Sequence, residues 1–545
     1  VIVASAHLAS VSSAGSAGWG AGDPKGRLRR LWERGRVPLL ATVPFVPLYV
    51  VWAALLATGG GDLAAQDAWA GFAARHWDSA YNLFWYGGMH TANYSLLSPL
   101  LMAWAGVRTV AVGSGLAAGW YAARLLERAG IEKPVWPALL FSAALWCDVA
   151  SGRATFALGV AAGLAGCLAV TGGRPRPVLA AVLGALATMA SPVAGLFIVV
   201  VGAGHLLDRR FRTAAALLVP PFAVVALTTV LFPFKGEQPM FAGRIWPPAL
   251  FGVTVFLLAP RDWRVLRLGA AAYAAGVVLT YLIPSPIGTN VERLAELAAP
   301  AVLLAAATAV RGSRLRCAVL AVVCALSVNW VTHKTIDDLR VSTTVPAWAA
   351  DTKGVVAALK RLGADRTRVE VVPARNHREA SGLAPYVDSA RGWNRQLDVE
   401  RGRLFYDGSF SPRAYRAWLA DFAVGYVVLA DGTPDGPAEQ EAALVRSGPD
   451  WLELVWKDAH WRIYRVRDAV PLVSPPATVV RAGDAELVIR VGRPGPVTVR
   501  VKYSPWLWPD HGCLAPDGSW TRLNAPEAGE YRLSSRYRLP WSGHC

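Results

Sequence analysis

The sequence predicts a polytopic α-helical membrane protein, with about eleven transmembrane helices, that carries a C-terminal extracytoplasmic domain of α/β and β-sandwich-like parts. Three observations predict it. A ladder of apolar segments runs to Val331; Lys- and Arg-rich connections alternate along it with poorer ones; and charged, tryptophan-containing sequence replaces it from Thr332 onward.

A span of the hydrocarbon core needs about 20 mostly apolar residues, fewer inside a bundle. Val37 to Thr58 meets this at once, and further segments run from Val110 to Leu126, Pro134 to Cys147, Phe156 to Val170, Val178 to Ala190 and Val193 to Leu207. The set is completed by Ala214 to Phe232, Pro248 to Ala259, Leu268 to Ile283, Ala298 to Val310 and Cys317 to Val331. Several are short, and Ser191-Pro192 is either a connection or the tip of a re-entrant hairpin.

Charge sets the orientation, because Lys and Arg accumulate in short cytoplasmic loops. Every second connection is basic: Arg27, Arg29, Arg30, Arg34 and Arg36; Arg124, Arg128 and Lys133; Arg174 and Arg176; Arg209, Arg210 and Arg212; Arg261, Arg264 and Arg267; Arg311, Arg314 and Arg316. An odd number of spans follows, with the N-terminus cytoplasmic and the C-terminal domain extracellular, in a multi-pass protein of the cell membrane. The formal charge of +17 is then explained by loops facing anionic lipid and calls for no nucleic acid. The first segment is too long, and its basic lead too extended, for a signal peptide.

Cys147, Cys167, Cys317 and Cys324 fall in or near spans, where a thiol packs as a small apolar group. Cys513 and Cys545 fall outside the membrane, where oxidation is permitted and a disulfide between them is expected. No CxxC or His/Cys cluster points to zinc.

Outward connections are where unexpected polar groups carry chemistry. The longest runs from Gly59 to Arg108, and its first half has helical spacing, with Leu63, Trp69, Phe72 and Ala73 on one side, as for a helix lying along the interface. Asp62 follows the first span within a few residues. A carboxylate at that depth is partly desolvated and correspondingly basic, although Asp is equally a preferred N-cap for the helix that follows. Asp148 and Arg153 stand in the second outward connection, as a hairpin salt bridge or as an acceptor and a cation of a reaction centre. Lys235, Glu237 and Arg244 stand in the fourth, and Asn290, Glu292 and Arg293 in the fifth. Arg293 heads an apolar segment, where a cation is costly unless paired with an anion, either a substrate phosphate or a phospholipid headgroup.

These features together resemble the GT-C superfamily of integral membrane glycosyltransferases, which use polyprenyl-phosphate sugars and include protein mannosyltransferases, aminoarabinose transferases and mycobacterial arabinofuranosyltransferases. The resemblance covers most of the chain in architecture. In motif it rests on Gly61-Asp62, on YSLLSPLL from Tyr94 to Leu101, and on Asn290-x-x-Arg293. The chain departs from the family in lacking an Asp-Glu pair or Asp-x-Asp in the first loop, and in having Ser98-Pro99 where a double proline is usual.

The resemblance implies that Asp62 deprotonates an acceptor hydroxyl, which attacks the anomeric carbon of a lipid-linked sugar with inversion. The leaving phosphate departs as a stable anion and needs cations more than a general acid, a role for Arg153, Arg244 or Arg293. Asp148 and Asn290 join the substrate-binding set, and His90 and Tyr94 would orient sugar or acceptor, although a lone His is more often structural. The implied partners are the lipid bilayer, a polyprenyl-phosphate-linked sugar and a glycan, lipid or protein acceptor. No cofactor is required by these residues, and a divalent metal is left open. The Ala, Gly, Arg and Pro bias is similar to that of a high-GC actinobacterial proteome, and the resemblance implies a role in the cell envelope or cell wall.

The expected boundaries are a cytoplasmic tail over 1–36, the transmembrane domain over 37–331, an α/β region over 332–470 and a β-rich region over 471–545. Pro346 to Ala364 reads as an amphipathic helix, Val369 to Pro373 and Val424 to Ala430 as strands, and Tyr415 to Asp421 as a helix. WRIYRV and the run from ATVVRAG to YSPWLW alternate as a β-sandwich does. Trp506, Trp508, Trp520 and Trp541 either stack on sugars or fill the core, and the segment with Tyr386, Asp388, Arg391, Trp393 and Asn394 is either solvated or packed near the site. The competing function is a multi-pass transporter of a small molecule or lipid, which would need a midplane site and show internal repeats; none is evident here.

Overall fold

A computed structural model describes residues 35–545. Most of the expected cytoplasmic tail, with Arg27, Arg29, Arg30 and Arg34, lies outside the described residues. Each of the apolar segments is helical, in Gly35–Leu56, Val107–Arg128, Val135–Ala150, Ala154–Ala169, Pro177–Ala190, Pro192–Leu207, Phe211–Leu231, Trp246–Leu258, Arg264–Leu282, Glu292–Ala309 and Arg314–Ser342.

Length separates these helices into two kinds. By length and composition, Gly35–Leu56, Phe211–Leu231, Arg264–Leu282 and Arg314–Ser342 suffice to cross a membrane, and Ser98–Ala105 with Val107–Arg128, bent by 111° at Gly106, would make a fifth span as a pair. Val135–Ala150, Ala154–Ala169 and Pro192–Leu207 have 16 residues each. At about 1.5 Å per residue they reach about 24 Å, short of a hydrocarbon core of about 30 Å. Ser191 alone, in an extended conformation, separates Pro177–Ala190 from Pro192–Leu207. Glu292–Ala309 carries Glu292, Arg293 and Glu296 in its first turns.

The chain divides into two compact units. The first comprises the described residues up to Ala54, Ala111–Val225 and Pro239–Ile336; the second comprises Leu55–Val110, Ala226–Gln238 and Asp337–Cys545. The long loop after the first helix therefore belongs with the C-terminal region.

In the first unit, small residues let helices approach closely. A Cβ on Gly204 would stand 2.5 Å from the Val265 carbonyl oxygen and 3.1 Å from the Gly269 nitrogen, so Pro192–Leu207 and Arg264–Leu282 touch backbone to backbone there. The core is correspondingly rich in alanine, with Ala295, Ala299, Ala305 and Ala306 around Leu303, Tyr273 and Val277. At one end of the bundle basic residues cap helix C-termini, where exposed carbonyls favour cations. Arg128 donates to the Leu168 and Thr171 carbonyls at 3.0 and 3.3 Å, and Arg267 donates to that of Phe256 at 2.8 Å. Arg210 and Arg264 both pair with Asp208 at 2.9 Å.

The second unit holds two β-rich bodies. Strands β3 (Arg368–Val371), β4 (Val424–Ala430), β5 (Leu452–Lys457) and β6 (Trp461–Val466) follow a hairpin, β1 (Tyr81–Asn82) and β2 (Met89–His90), in the long loop. They form a sheet in the order β3-β4-β6-β5, with β3 parallel to β4 and the rest antiparallel. All seven residues of β4 are buried, which accounts for its unbroken apolar run.

Strands β7 (Thr478–Ala482), β8 (Glu486–Val491), β9 (Gly495–Lys502), β10 (Trp508–Pro509), β11 (Cys513–Asp517), β12 (Trp520–Ala525) and β13 (Gly529–Ser534) make two sheets, β10-β13-β8-β7 and β11-β12-β9. Their inward residues, among them Ile489, Val497, Val499, Leu523 and Tyr531, share one core, as the alternation predicts. Cys513 and Cys545 form the expected disulfide.

Two segments pack more closely than their own sequence shows. The apolar side of the helix Asp62–Arg75 is covered by protein, while Asp67, Ala74 and Arg75 stay exposed. Leu63, Ala64, Ala65, Gln66, Trp69, Ala70, Phe72 and Ala73 are all buried, because Trp85, Tyr86, Met89, Ala380 and Leu397 pack over it. The segment with Asp388 and Arg391 is no solvated loop: Arg368 pairs with Asp388 at 3.0 Å, and Arg391 lies buried between Glu370, at 2.8 Å from its Nε, and Glu441.

That last trio has a pH consequence. Burial pushes the Glu370 and Glu441 carboxyls above the ordinary range, against the pull of Arg391, and in Glu370 the proximity of Glu441 adds to it. Carboxyls raised in the folded chain contribute stability that is full below the ordinary range and is lost as pH rises. The unfolding temperature of the wild type should therefore fall as pH rises from the ordinary carboxylate range towards the alkaline range. Glu370→Gln keeps an acceptor for Arg391 and should flatten that fall, leaving the variant the more stable protein at the alkaline end. Thermal unfolding across that range checks it, and an equal slope in both proteins would contradict it.

Candidate functional site

The first unit gathers charge inside an apolar bundle. Asp148 ends Val135–Ala150, Arg153 precedes Ala154–Ala169, Glu292, Arg293 and Glu296 open Glu292–Ala309, and Lys334 lies late in Arg314–Ser342. Antiparallel alternation brings these helix ends together, so residues far apart in sequence meet at the end opposite the Arg128 and Asp208 caps.

The contacts form a chain. Arg153 donates to Glu296 at 2.6 Å and lies 3.5 Å from Asp148. Lys334 bonds to Glu296 and, at 2.9 Å, to Glu292, and Arg244 approaches Glu292 at 3.6 Å. Arg293 lies over the Phe156 ring, 5.3 Å from its centroid. Glu292 and Glu296 are buried, as are Asp148 and most of Arg153, whereas Arg244 is about half exposed. Asp148, Arg153, Glu296, Lys334, Cys147 and Ser151 line a small pocket with room for about one water molecule. Oδ2 of Asp148 and Oε1 of Glu292 are buried and accept no hydrogen bond among the described residues.

This arrangement brings Asp148, Arg153, Arg244 and Arg293 into one charged region, with Asn290 half-buried two residues before Glu292. It adds Glu296 and Lys334, which the sequence reading did not single out. The signal for Glu296 was its spacing: Glu292 and Glu296 are four apart, one above the other on a helix face. Lys334 was hidden because the apolar window stops at Val331, while the helix continues to Ser342.

In the second unit, Asp62 is the first residue of the helix Asp62–Arg75, half-exposed, and Gly61 takes the N-cap position with φ 65°. Asp62 is thus a first-turn acid rather than a side-chain cap. The backbone before it is pinned on several sides. Gly61 donates to the Asn376 carbonyl at 2.8 Å, and its own carbonyl accepts the Trp393 indole N–H at 3.1 Å. Arg378 donates to the Thr58 carbonyl, to Thr58 Oγ1 at 2.6 Å and to the Ser342 carbonyl at 2.6 Å, which satisfies carbonyls that two helix ends leave open. Only glycine fits at position 60, where a Cβ would stand 2.6 Å from the Ser342 oxygen.

His90 and Tyr94 lie in this second unit, in aromatic surroundings. His90 is buried between the rings of Tyr81 and Phe232, with Nε2 2.9 Å from Ser504 Oγ, and burial pushes its imidazole down to about 3, which keeps it neutral. Tyr94 stacks on Trp69 with centroids 5.7 Å apart. Trp520 is core, against Phe422, and Trp506 stacks on Phe232; Trp541 is exposed.

A divalent cation fits poorly. No group of three or more His, Cys, Asp or Glu among the described residues is placed to hold a metal ion, and Glu292 and Glu296 already face Lys334, Arg153 and Arg244.

Removing one member of a buried ion pair strands its partner, at a cost of about 3–5 kcal/mol, more than the pair itself is worth. Lys334→Met should lower the unfolding temperature markedly, and the double variant Lys334→Met with Glu292→Gln should recover part of the loss. Thermal unfolding in nanodiscs checks both. A single variant as stable as wild type would show that the cluster does not hold these helix ends.

A family model described as "Domain of unknown function (DUF8823)" matches residues 474–545, the region of β7 to β13. No curated protein matches the chain. Among solved structures the chain is similar to a cryo-EM structure of the arabinofuranosyltransferase AftD from Mycobacteria, with 16% identity and a TM-score of 0.44, over 88% of this chain and 42% of that one. It is also similar to a mutant of AftD from Mycobacteria, with 13% identity and a TM-score of 0.42, over 94% of this chain and 60% of that one. The chain spans less than two thirds of the length of either.

Proposed function

We propose that the chain is an integral membrane glycosyltransferase that moves a sugar from a polyprenyl-phosphate donor to an extracytoplasmic glycan, lipid or protein acceptor with inversion. Asp62 is the base: it takes the proton of the acceptor hydroxyl as the oxygen bonds to the anomeric carbon. The bond from that carbon to the phosphate oxygen breaks, and polyprenyl phosphate leaves with one more negative charge. Arg153, Arg244 and Arg293 receive that charge.

The observation that carries this reading is the gathering of cations at one end of an apolar bundle. Arg153, Arg244, Arg293 and Lys334 lie there together with Asp148, Glu292 and Glu296, and Arg244 is about half exposed. A cation in such a setting is stabilised by an anion, and a half-exposed guanidinium at a membrane-embedded helix end would meet a lipid phosphate. Asp62 supports the reading from the second unit, as a half-exposed carboxylate on a backbone fixed by Trp393 and Asn376, since a base works when its position is held.

General-base catalysis is worth about 10²–10⁴-fold. Purified protein in nanodiscs, offered a panel of polyprenyl-phosphate sugars and envelope glycans, should transfer sugar, and Asp62→Asn should lower kcat by that factor with an unchanged unfolding temperature. Full transfer by the Asn variant would remove Asp62 from the chemistry. Solute uptake by proteoliposomes with no glycosylated product would favour transport instead.

A further inference from the structure

We propose that the second unit touches the bilayer through its own surface, an aromatic and basic rim made of the segment around Trp77 and the segment 536–541. The inference goes beyond sugar transfer: it concerns what the C-terminal β-rich body rests on.

The rim is exposed and apolar. Trp77 is 73% exposed, Tyr537 47%, Leu539 83% and Trp541 53%. Four such side chains in a water-facing surface would each keep apolar area hydrated without gain. The two segments are joined, because Ser79 bridges to Arg536 and the Tyr537 N–H donates to the Asp78 carbonyl at 2.7 Å. The second segment is also firmly held. Trp541 donates its backbone N–H to the Pro505 carbonyl at 2.8 Å, His544 bonds to the Leu507 carbonyl at 2.7 Å, and the disulfide fixes Cys545 to β11. Trp541 keeps φ at 63°, a conformation that costs a bulky residue free energy unless its surroundings impose it.

What identifies the occupant is the position of this knot against a membrane-length helix. The Trp506 indole N–H donates at 2.6 Å to the carbonyl of Leu231, the last residue of Phe211–Leu231. The same indole stacks on Phe232 at 5.0 Å and meets Tyr537 edge-on at 5.4 Å. Tyr537 therefore stands one ring beyond the end of a helix long and apolar enough to span, which is the depth where Trp and Tyr are enriched in membrane proteins. Charge agrees with that depth. Arg538 lies 3.9 Å over the Trp508 ring and Arg536 is largely exposed, so two guanidinium groups flank the aromatics where lipid phosphates would lie. Asp78 is the acid that faces them, 3.4 Å from Arg536.

Spin labels test this on the full chain in nanodiscs of mixed zwitterionic and anionic phospholipid. Cys147, Cys167, Cys317 and Cys324 are replaced by Ala and the disulfide is kept. Single labels are then placed at Leu539→Cys, at Phe222→Cys on the lipid-facing side of the helix, and at Asp468→Cys, whose side chain is exposed. Collisions with oxygen and with a water-soluble nickel chelate are compared. The expected result is oxygen in excess at 222, nickel in excess at 468, and oxygen in excess at 539 but at shallower depth than 222. Nickel in excess at 539 would overturn the proposal, leaving the rim open to water or to a soluble glycan. Shielding of 539 from both reagents would overturn it too, since a protein or second copy would then cover the rim. Nickel in excess at 222 would overturn the membrane reading of the helix itself, a failure separate from that of the sugar-transfer assay.

Discussion

The constraint on which the first unit depends is the burial of Glu296 between Arg153 and Lys334. Taking a carboxylate, a guanidinium and an ammonium into an apolar bundle costs several kcal/mol for each ion, and only close mutual contact offsets it. Three helices must therefore bring their ends to one point: Ala154–Ala169 through Arg153, Glu292–Ala309 through Glu296, and Arg314–Ser342 through Lys334. Asp148 extends the tie to a fourth, Val135–Ala150. Two of the short helices, Val135–Ala150 and Ala154–Ala169, each have one end at this charged cluster. The opposite end is closed by arginines on helix carbonyls and on Asp208. The two ends thus differ chemically: one carries arginines on helix carbonyls, and the other is a largely buried cluster of acids and cations.

In the second unit the comparable constraint is Arg378, which binds the carbonyls of Thr58 and Ser342 at once. The chain leaving the first helix is tied to the C-terminal region before Asp62 begins the next helix. Glycine at 60 is the sequence trace of that close approach. The position of Asp62 is consequently a property of the C-terminal region as much as of its own loop.

The apolar ladder was legible residue by residue, because transfer from water to an apolar surrounding is a local property of each segment. So was the β-sandwich, whose period-two alternation is strict from Val497 to Lys502 in β9, and the pairing of Cys513 with Cys545. What was not legible was whatever depends on partners remote in sequence. The helix Asp62–Arg75 has an interfacial pattern, yet Trp85 and Leu397 cover it, and no local signal announces a covering residue. His90 sits in an aromatic pocket closed by Phe232 and Ser504, so its chemistry could not be judged from its neighbours in the chain. Lys334 escaped because hydropathy ends a span where charge begins, whereas the backbone ends it at the first residue that cannot continue the helix. In the candidate site, Asp148 and Arg153 were singled out by their place in an outward connection, and Arg293 because an isolated cation heading an apolar run is costly; the structure brings the three into one charged region.

The central claim, proposed above, is that the charged cluster at one end of the bundle is where a lipid phosphate is held. A cryo-EM map of the full chain in nanodiscs loaded with polyprenyl phosphate tests it most directly. The account predicts phosphate density in contact with Arg153, Arg244 or Arg293. Phosphate density at the opposite end, among Arg128, Arg267 and Arg311, would contradict it.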